Sequence, residues 1–342
     1  MKFRIGLAAS LLAINAGAQI VLWSCNFTND DWLTGWDNTN DAPKKGIAFG
    51  STNIVRISDA TAPGGAFLRI TFPAGSDAPS DGPPIGGTQF YGAMLHTNGN
   101  QPLDAAILKF SVRFPTNFDF VKGGKLPGFY GGTGNTGTGE SNLPDGEDGF
   151  TTRFMWRTGG AGEAYPFLPT SPTSGGTELG KGNWNFAADN QWHTLQQKCV
   201  LNDIGASNGV IQVWYDGEMV LNAGNLFFRS TNSLKIDGVI FQTFFGGNGA
   251  DWSTPITTYA DFANFSVSST NNPPQLSVAL AGTDVILSWP ADGASGFILE
   301  SSTTLFPADG WNFVSNGSLV GNQFKVTNLI SSSSCFYRLR HP

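Results

Sequence analysis

Side chains with chemistry to offer concentrate in one stretch of this sequence, residues 109–167. Between Lys109 and Lys125, four cations (Lys109, Arg113, Lys122 and Lys125) stand with a single acid, Asp119. That local net charge of +3 contrasts with the formal charge of −7 for the whole chain. Lys125 lies in Lys122-Gly-Gly-Lys125-Leu-Pro-Gly128, where glycines allow close backbone approach and leave the lysine free to project. The Walker spacing is missing, so this is not a phosphate loop. Downstream comes Thr151-Thr-Arg153-Phe-Met-Trp-Arg157. Read with the period of a strand, Thr151, Arg153, Met155 and Arg157 share one face, and Thr152, Phe154 and Trp156 the other. Two arginines opposite an aromatic core face suit a groove for anions. Tyr165 and Phe167 follow twelve and fourteen residues after Arg153, a spacing that could return them on the neighbouring strand. Residue types alone equally allow Arg157 and Tyr165 simply to pair and cap the sheet.

Arginine, lysine and tyrosine together suit one reaction in particular. A uronic acid polymer breaks by β-elimination when a base removes H5, the proton α to the C6 carboxylate. The intermediate carries a second negative charge, so cations and hydrogen-bond donors must be preorganised around that carboxylate. A tyrosine acidified by nearby cations can take H5, and its phenol can return a proton to the leaving O4. In mannuronate and glucuronate H5 and O4 lie on the same side of the ring, so one tyrosine can serve both steps. Neither a metal nor another cofactor is required.

Other candidate chemistries find little support. His96, His193 and His341 are scattered singly, at no spacing that suits zinc. Asp145-Gly-Glu147-Asp148 reads as an exposed acidic turn ahead of a calcium site. His193 follows Trp192 in a strand-like segment and reads as structural. Trp184 and Trp192 could stack on sugar rings, although core packing is the commoner fate of such residues. Cys25, Cys199 and Cys335 allow at most one disulfide and leave one thiol over, and Cys199 reads as a small buried strand residue.

Composition describes the elements that must position these side chains. Charged residues are 13% of 342, with 44 Gly, 27 Phe and 10 Trp, which excludes a disordered tail protein, a coiled coil and a helical repeat. The pattern is that of an all-β chain with many turns. The acidic balance argues against nucleic acid as a partner. Lys2 and Arg4, the apolar run Leu7 to Ile14 and Ala16-Gly17-Ala18 read as a signal peptide over residues 1–18, implying export to the periplasm or beyond. Its removal takes the formal charge from −7 to −9. No apolar run approaches the ~20 residues that span a bilayer.

Leu108, Phe110, Val112 and Phe114 alternate with Lys109, Ser111 and Arg113, as in a strand with one face in the core. Val210 to Leu221 reads as a hairpin closed by Asp216-Gly217, a pair suited to a type I′ turn. Asp237-Gly238 precedes a further aromatic strand. Many such strands over residues 19–270 predict one antiparallel two-sheet β-jelly roll, a concanavalin-like sandwich. Ser-Ser-Thr-Asn-Asn-Pro-Pro at residues 268–274 marks a linker. The rest of the 271–342 segment predicts a small β-sandwich of fibronectin-III type, a spacer or attachment module.

The quoted motifs resemble the core of polysaccharide lyase family 14. Lys122-Gly-Gly-Lys125-Leu-Pro-Gly128-Phe-Tyr-Gly-Gly132, Thr151-x-Arg153-x-Met-Trp-Arg157 and Gly162-Glu-Ala-Tyr165 carry the resemblance. Lys181-Gly-Asn-Trp184, Gln191-Trp-His193-Thr, Val213-Trp-Tyr-Asp-Gly217 and Thr243-Phe-Phe-Gly-Gly247 extend it, over roughly residues 85–268. The resemblance implies a β-jelly roll that cleaves glucuronan or alginate-type polyuronides by β-elimination. It implies that Lys125 is the catalytic lysine, Arg153 the arginine for the substrate carboxylate, and Tyr165 the first of two active-site tyrosines. Thr151 stands where a serine is usual and keeps the hydroxyl. Phe167 stands where the second tyrosine is usual and removes a phenol.

The expected catalytic set is therefore Lys125, Arg153, Tyr165 and Thr151, in a monomer acting on an acidic polysaccharide. Arg157, Phe167, Lys122, Arg113 and Gln89 are the expected substrate contacts. The competing reading is a non-catalytic carbohydrate-binding jelly roll. A laminarinase-type hydrolase would need two strand-borne carboxylates about 5–5.5 Å apart, whereas the acids here gather in the loop Glu140 to Asp148.

Overall fold

The computed structural model describes residues 20–37, 46–97, 100–133, 143–270, 276–282, 284–291, 297–304, 311–321, 323–329 and 335–340. The expected leader (1–18), linker residues 271–275, Glu140 and His341 lie outside them. The chain divides into two compact units, one over Val21–Thr270 and a smaller one C-terminal to it.

The larger unit is an antiparallel jelly roll. In chain order its strands are β1 (Val21–Cys25), β2 (Ile47–Phe49), β3 (Ile54–Ser58), β4 (Ala66–Phe72) and β5 (Thr88–Gly92). Then come β6 (Ala105–Arg113), β7 (Gly123–Gly132), β8 (Gly149–Arg157), β9 (Gly162–Phe167) and β10 (His193–Val200). The last are β11 (Gly209–Tyr215), β12 (Glu218–Leu226), β13 (Gly238–Phe245) and β14 (Thr258–Ser269). One sheet runs β12-β11-β10-β6-β14-β4-β3, with β1 also on β14, and the other runs β2-β5-β13-β7-β8-β9.

The core lies between these sheets and is unusually aromatic. Leu108, Phe110 and Val112 of β6 point inward, as their alternation predicts, and are buried. Phe110 stacks on Phe265 at 4.9 Å, and Phe90 on Phe241 at 4.5 Å. Such ring pairs add about 0.5–1.5 kcal/mol each beyond the area they bury. Trp156 of β8 fits against β7 only because residue 124 is glycine: a Cβ there would lie 2.0 Å from the indole. The β11–β12 hairpin turns at Asp216 (φ 51°) and Gly217 (φ 87°), both left-handed, as a type I′ turn requires. Cys199 is buried in β10 as expected, burial pushing its thiol pKa up, and the three cysteines are all free.

The smaller unit has two antiparallel sheets of its own. Its strands are β15 (Ser277–Ala281), β16 (Asp284–Pro290), β17 (Ile298–Ser302), β18 (Asn312–Ser315), β19 (Ser318–Val320), β20 (Gln323–Leu329) and β21 (Phe336–Arg340). They form the sheets β15-β16-β20-β19 and β18-β17-β21, around buried Val285, Leu287, Trp289 and Leu299. Among the described residues, no helix is long and apolar enough to cross a membrane.

Candidate active site

β8 alternates as its sequence predicts. Phe154 and Trp156 enter the core, and Thr152 donates to Gln197 Oε1 at 2.6 Å on the same side. Thr151, Arg153, Met155 and Arg157 therefore face away from the core. The chain turns at residues 158–160 and returns as β9, setting Thr151 opposite Phe167, Arg153 opposite Tyr165, and Met155 opposite Glu163. On the other flank of β8, Lys125 of β7 lies opposite Met155. Directly opposed residues on one sheet face have Cβ atoms ~5 Å apart, so three adjacent strands bring lysine, arginine and tyrosine together.

Tyr165 is the centre of this cluster. Lys125 Nζ lies 3.8 Å from the centroid of its ring, and the Arg157 guanidinium carbon lies 5.3 Å from the same centroid. Residues 175 and 176 must be glycine for the ring to sit there, since a Cβ at Gly175 would lie 2.3 Å from the phenol oxygen. Lys125 is half-buried, with Nζ 2.7 Å from Met155 Sδ. Burial, then the positive charges of Arg153 and Arg157, hold its amine well below the usual lysine pKa.

Arg153 is fully buried. Its guanidinium lies 4.9 Å from the centroid of Phe167, which is itself only 4% exposed. Arg153 Nη1 donates to Gln242 Oε1, and Gln242 Nε2 donates to Gln89 Oε1. Gln89 Nε2 in turn donates to Tyr91 Oη at 3.3 Å, so a polar chain runs from β8 through β13 to β5. Burial lowers the Arg153 pKa to about 10 and raises that of Tyr91 to about 12. Arg157 is held by carboxylates: Nε donates to Glu163 Oε1 at 2.6 Å and Nη2 to Glu178 Oε1 at 2.9 Å.

The structure thus gathers Lys125, Arg153, Tyr165, Thr151, Arg157, Phe167 and Gln89 on one face. Lys122, just before β7, is half-exposed and ion-paired with Asp251. Arg113 is a correction. It ends β6 in the other sheet, where its Nη2 lies 2.8 Å from Asp261 Oδ2 and its guanidinium carbon 4.5 Å from the Trp192 ring centroid. The cationic run read from Lys109 to Lys125 is divided because the chain crosses between sheets after Arg113, leaving Lys109 and Arg113 on one and Lys125 on the other.

His193 lies on that other sheet as well, hydrogen-bonded to Asp216 at 2.7 Å, and Trp192 packs on Phe67 at 5.5 Å. Trp184 is buried. Asp145 Oδ1 accepts the backbone N–H groups of Glu147 (2.7 Å) and Asp148 (3.1 Å), so this carboxylate braces its own turn. Among the described residues, no group of three or more His, Cys, Asp or Glu side chains could hold a metal ion.

Glu163, Glu178 and Gln242 escaped the sequence reading. Glu163 stands two residues before Tyr165, so the same alternation would have put it on the site face. Gln242 is a lone amide in the apolar run Val-Ile-Phe-Gln-Thr-Phe-Phe, and a buried amide in such a strand implies a buried polar partner.

Comparison with known proteins identifies the family and the fold. The sequence pattern of the family described as Polysaccharide lyase 14 matches residues 60–265. The fold is similar to that of a marine alginate lyase from Aplysia kurodai, at 27% identity and a TM-score of 0.56, over 73% of this chain and 99% of that one. It is also similar to alginate lyase vAL-1 from a Chlorella virus, a likeness of fold at 19% identity and TM-score 0.53, over 75% and 100% of the two chains. A protein named Exolysin, from Paramecium bursaria Chlorella virus 1, is 26% identical over 209 residues, 53% of this chain. The match spans about a third (32%) of that relative's length.

Proposed function

The chain belongs to the Polysaccharide lyase 14 family, and from that premise we propose that it is a secreted lyase cleaving a uronic acid polymer by β-elimination. The observation that carries this reading is Lys125 Nζ lying 3.8 Å from the Tyr165 ring centroid, with Arg153 directly across the register from Tyr165. Lys125, the accessible cation beside the phenol, meets the C6 carboxylate of the sugar to be cleaved. Arg153, buried beneath Phe167, adds positive charge from the floor of the site, where low dielectric strengthens its effect. Tyr165 Oη acts as the base that removes H5. The electron pair of that C–H bond becomes the C4=C5 double bond, the C4–O4 bond breaks, and the proton from Tyr165 passes to O4. Thr151, on the same face but without exposed surface, supports the floor of the site opposite Phe167.

With phenylalanine at 167, one phenol performs both proton steps. That arrangement suits mannuronate or glucuronate, whose H5 and O4 share a side. In the smaller unit, the pair of antiparallel sheets supports a fibronectin-III-like module that spaces or attaches the catalytic unit.

The test is ultraviolet absorbance during incubation with glucuronan, mannuronate-rich and guluronate-rich alginate, and pectate, beside a Tyr165→Phe control. Elimination leaves a double bond conjugated to the carboxylate, which hydrolysis cannot make. A rise on one polymer, at least ~100-fold slower in the control, is expected for loss of a general acid–base. Binding of a uronan with no rise on any polymer would make the protein a carbohydrate-binding jelly roll without turnover.

A further inference from the structure

Glu163 is a buried carboxylate among the cations of the site. It has no exposed surface; Oε1 accepts the 2.6 Å bond from Arg157, and Oε2 has no hydrogen-bond partner. Taking a carboxylate out of water costs several kcal/mol unless positive charge lies close by. The register supplies that charge from two strands. Lys125, Met155 and Glu163 stand opposite one another on β7, β8 and β9, and Arg157 follows Met155 two residues along β8. Arg157 therefore bridges Glu163 and one face of the phenol cluster, held on its outer side by Glu178.

The groups around Lys125 have opposite effects. From β8, Arg153 and Arg157 repel its proton; from β9 and the segment after it, Glu163 and Glu178 attract it. Tyr165 lies under its amine, and Lys181 offsets part of the Glu178 charge at 3.2 Å. Opposite Lys125 on β13 stands Phe244, which contributes no charge.

We propose that Glu163 is a positioning residue of this site: its buried negative charge keeps Lys125 charged to receive a substrate carboxylate and clamps Arg157 against the Tyr165 ring. The effect on turnover rests on the lyase reading above; the coupling between Glu163 and Lys125 does not. Glu163→Gln retains the shape and removes the charge. Lys125 then loses its proton more readily, so its pKa falls. Because charged Lys125 binds substrate, kcat/KM is lost as pH rises, and in the variant that loss begins at lower pH, mainly through KM. Glu163→Asp restores the position of the limb.

The decisive measurement is NMR titration of 13Cε-labelled lysine, the Lys125 signal being assigned by its absence in Lys125→Gln. Glu178→Gln, at a solvent-exposed carboxylate, gives a smaller shift in the same direction and covers any failure of the buried variant to fold. A Lys125 titration unmoved in the folded variants overturns the proposal, even with full lyase activity. A shifted titration in a protein that cleaves no uronan sustains the coupling and removes the lyase reading alone.

Discussion

Two arginine-bearing sheet faces of the same jelly roll resolve their charge in opposite ways. Across β4, β14 and β6, Arg69 and Arg113 converge on Asp261, whose side chain has no exposure. Arg69 Nε and Nη2 donate at 2.8 and 3.0 Å, and Arg113 Nε and Nη2 at 3.0 and 2.8 Å. Aromatic rings cover the guanidinium groups, Tyr259 at 3.7 Å from one and Trp192 at 4.5 Å from the other. Both guanidinium groups there are paired with that one carboxylate. On the opposite sheet, Arg157 pairs with the buried carboxylate of Glu163 and with the more exposed Glu178 at the edge, Arg153 is bonded to the neutral amide of Gln242, and Lys125 lies over the Tyr165 ring. The remaining positive charge surrounds a tyrosine. Residue types and net charge are nearly the same on both faces; the pairing distinguishes them, since both arginines of the brace meet one buried carboxylate, whereas at the site Lys125 lies over a tyrosine ring and Arg153 meets a neutral amide.

The sharpest test of that contrast compares one cation from each face. Lys125→Ala is expected to lower kcat/KM on the cleaved uronan about 1,000-fold, whereas Arg113→Ala leaves it within about twofold once the protein is folded. Equal losses at both positions would erase the distinction. Stability gives the converse, with Asp261→Asn leaving two buried-end guanidinium groups facing each other. Thermal or urea unfolding should show a loss of about 3 kcal/mol, with the rate per folded molecule unchanged. A variant as stable as the parent would mean that the Asp261 network is not a brace.

The smallest effect concerns His193, also on the bracing sheet. Burial opposes its protonation, but hydrogen bonds with Asp216 and Asp189 outweigh it, so its pKa is raised. The resulting stabilisation is complete below the unfolded value of ~6.5 and is lost as pH rises through the higher folded value. The melting temperature should drift down across that window by the equivalent of a few tenths of a kcal/mol, since solvent screens the pair. His193→Gln should flatten the drift, and a melting temperature that climbs there would contradict the assignment.

Local chemistry was written in the sequence. The alternation of Thr151, Arg153, Met155 and Arg157 with Phe154 and Trp156 determined the two faces of β8, because successive strand side chains point to opposite sides. Asp216-Gly217 determined a hairpin, because these residues tolerate positive φ at little cost. The resemblance, carried by short motifs in order, placed Lys125, Arg153 and Tyr165 in one set. Only the tertiary structure decided which sheet each cation joined: Arg113 and Lys125 are twelve residues apart, yet lie on different sheets. It also paired Gln89 with Gln242 across 153 residues, laid Phe167 over Arg153, and enclosed Glu163 in register with Lys125 across Met155. Strand order and register are properties of the whole sheet, and desolvation depends on everything packed around a charge, so no single segment of sequence contains them.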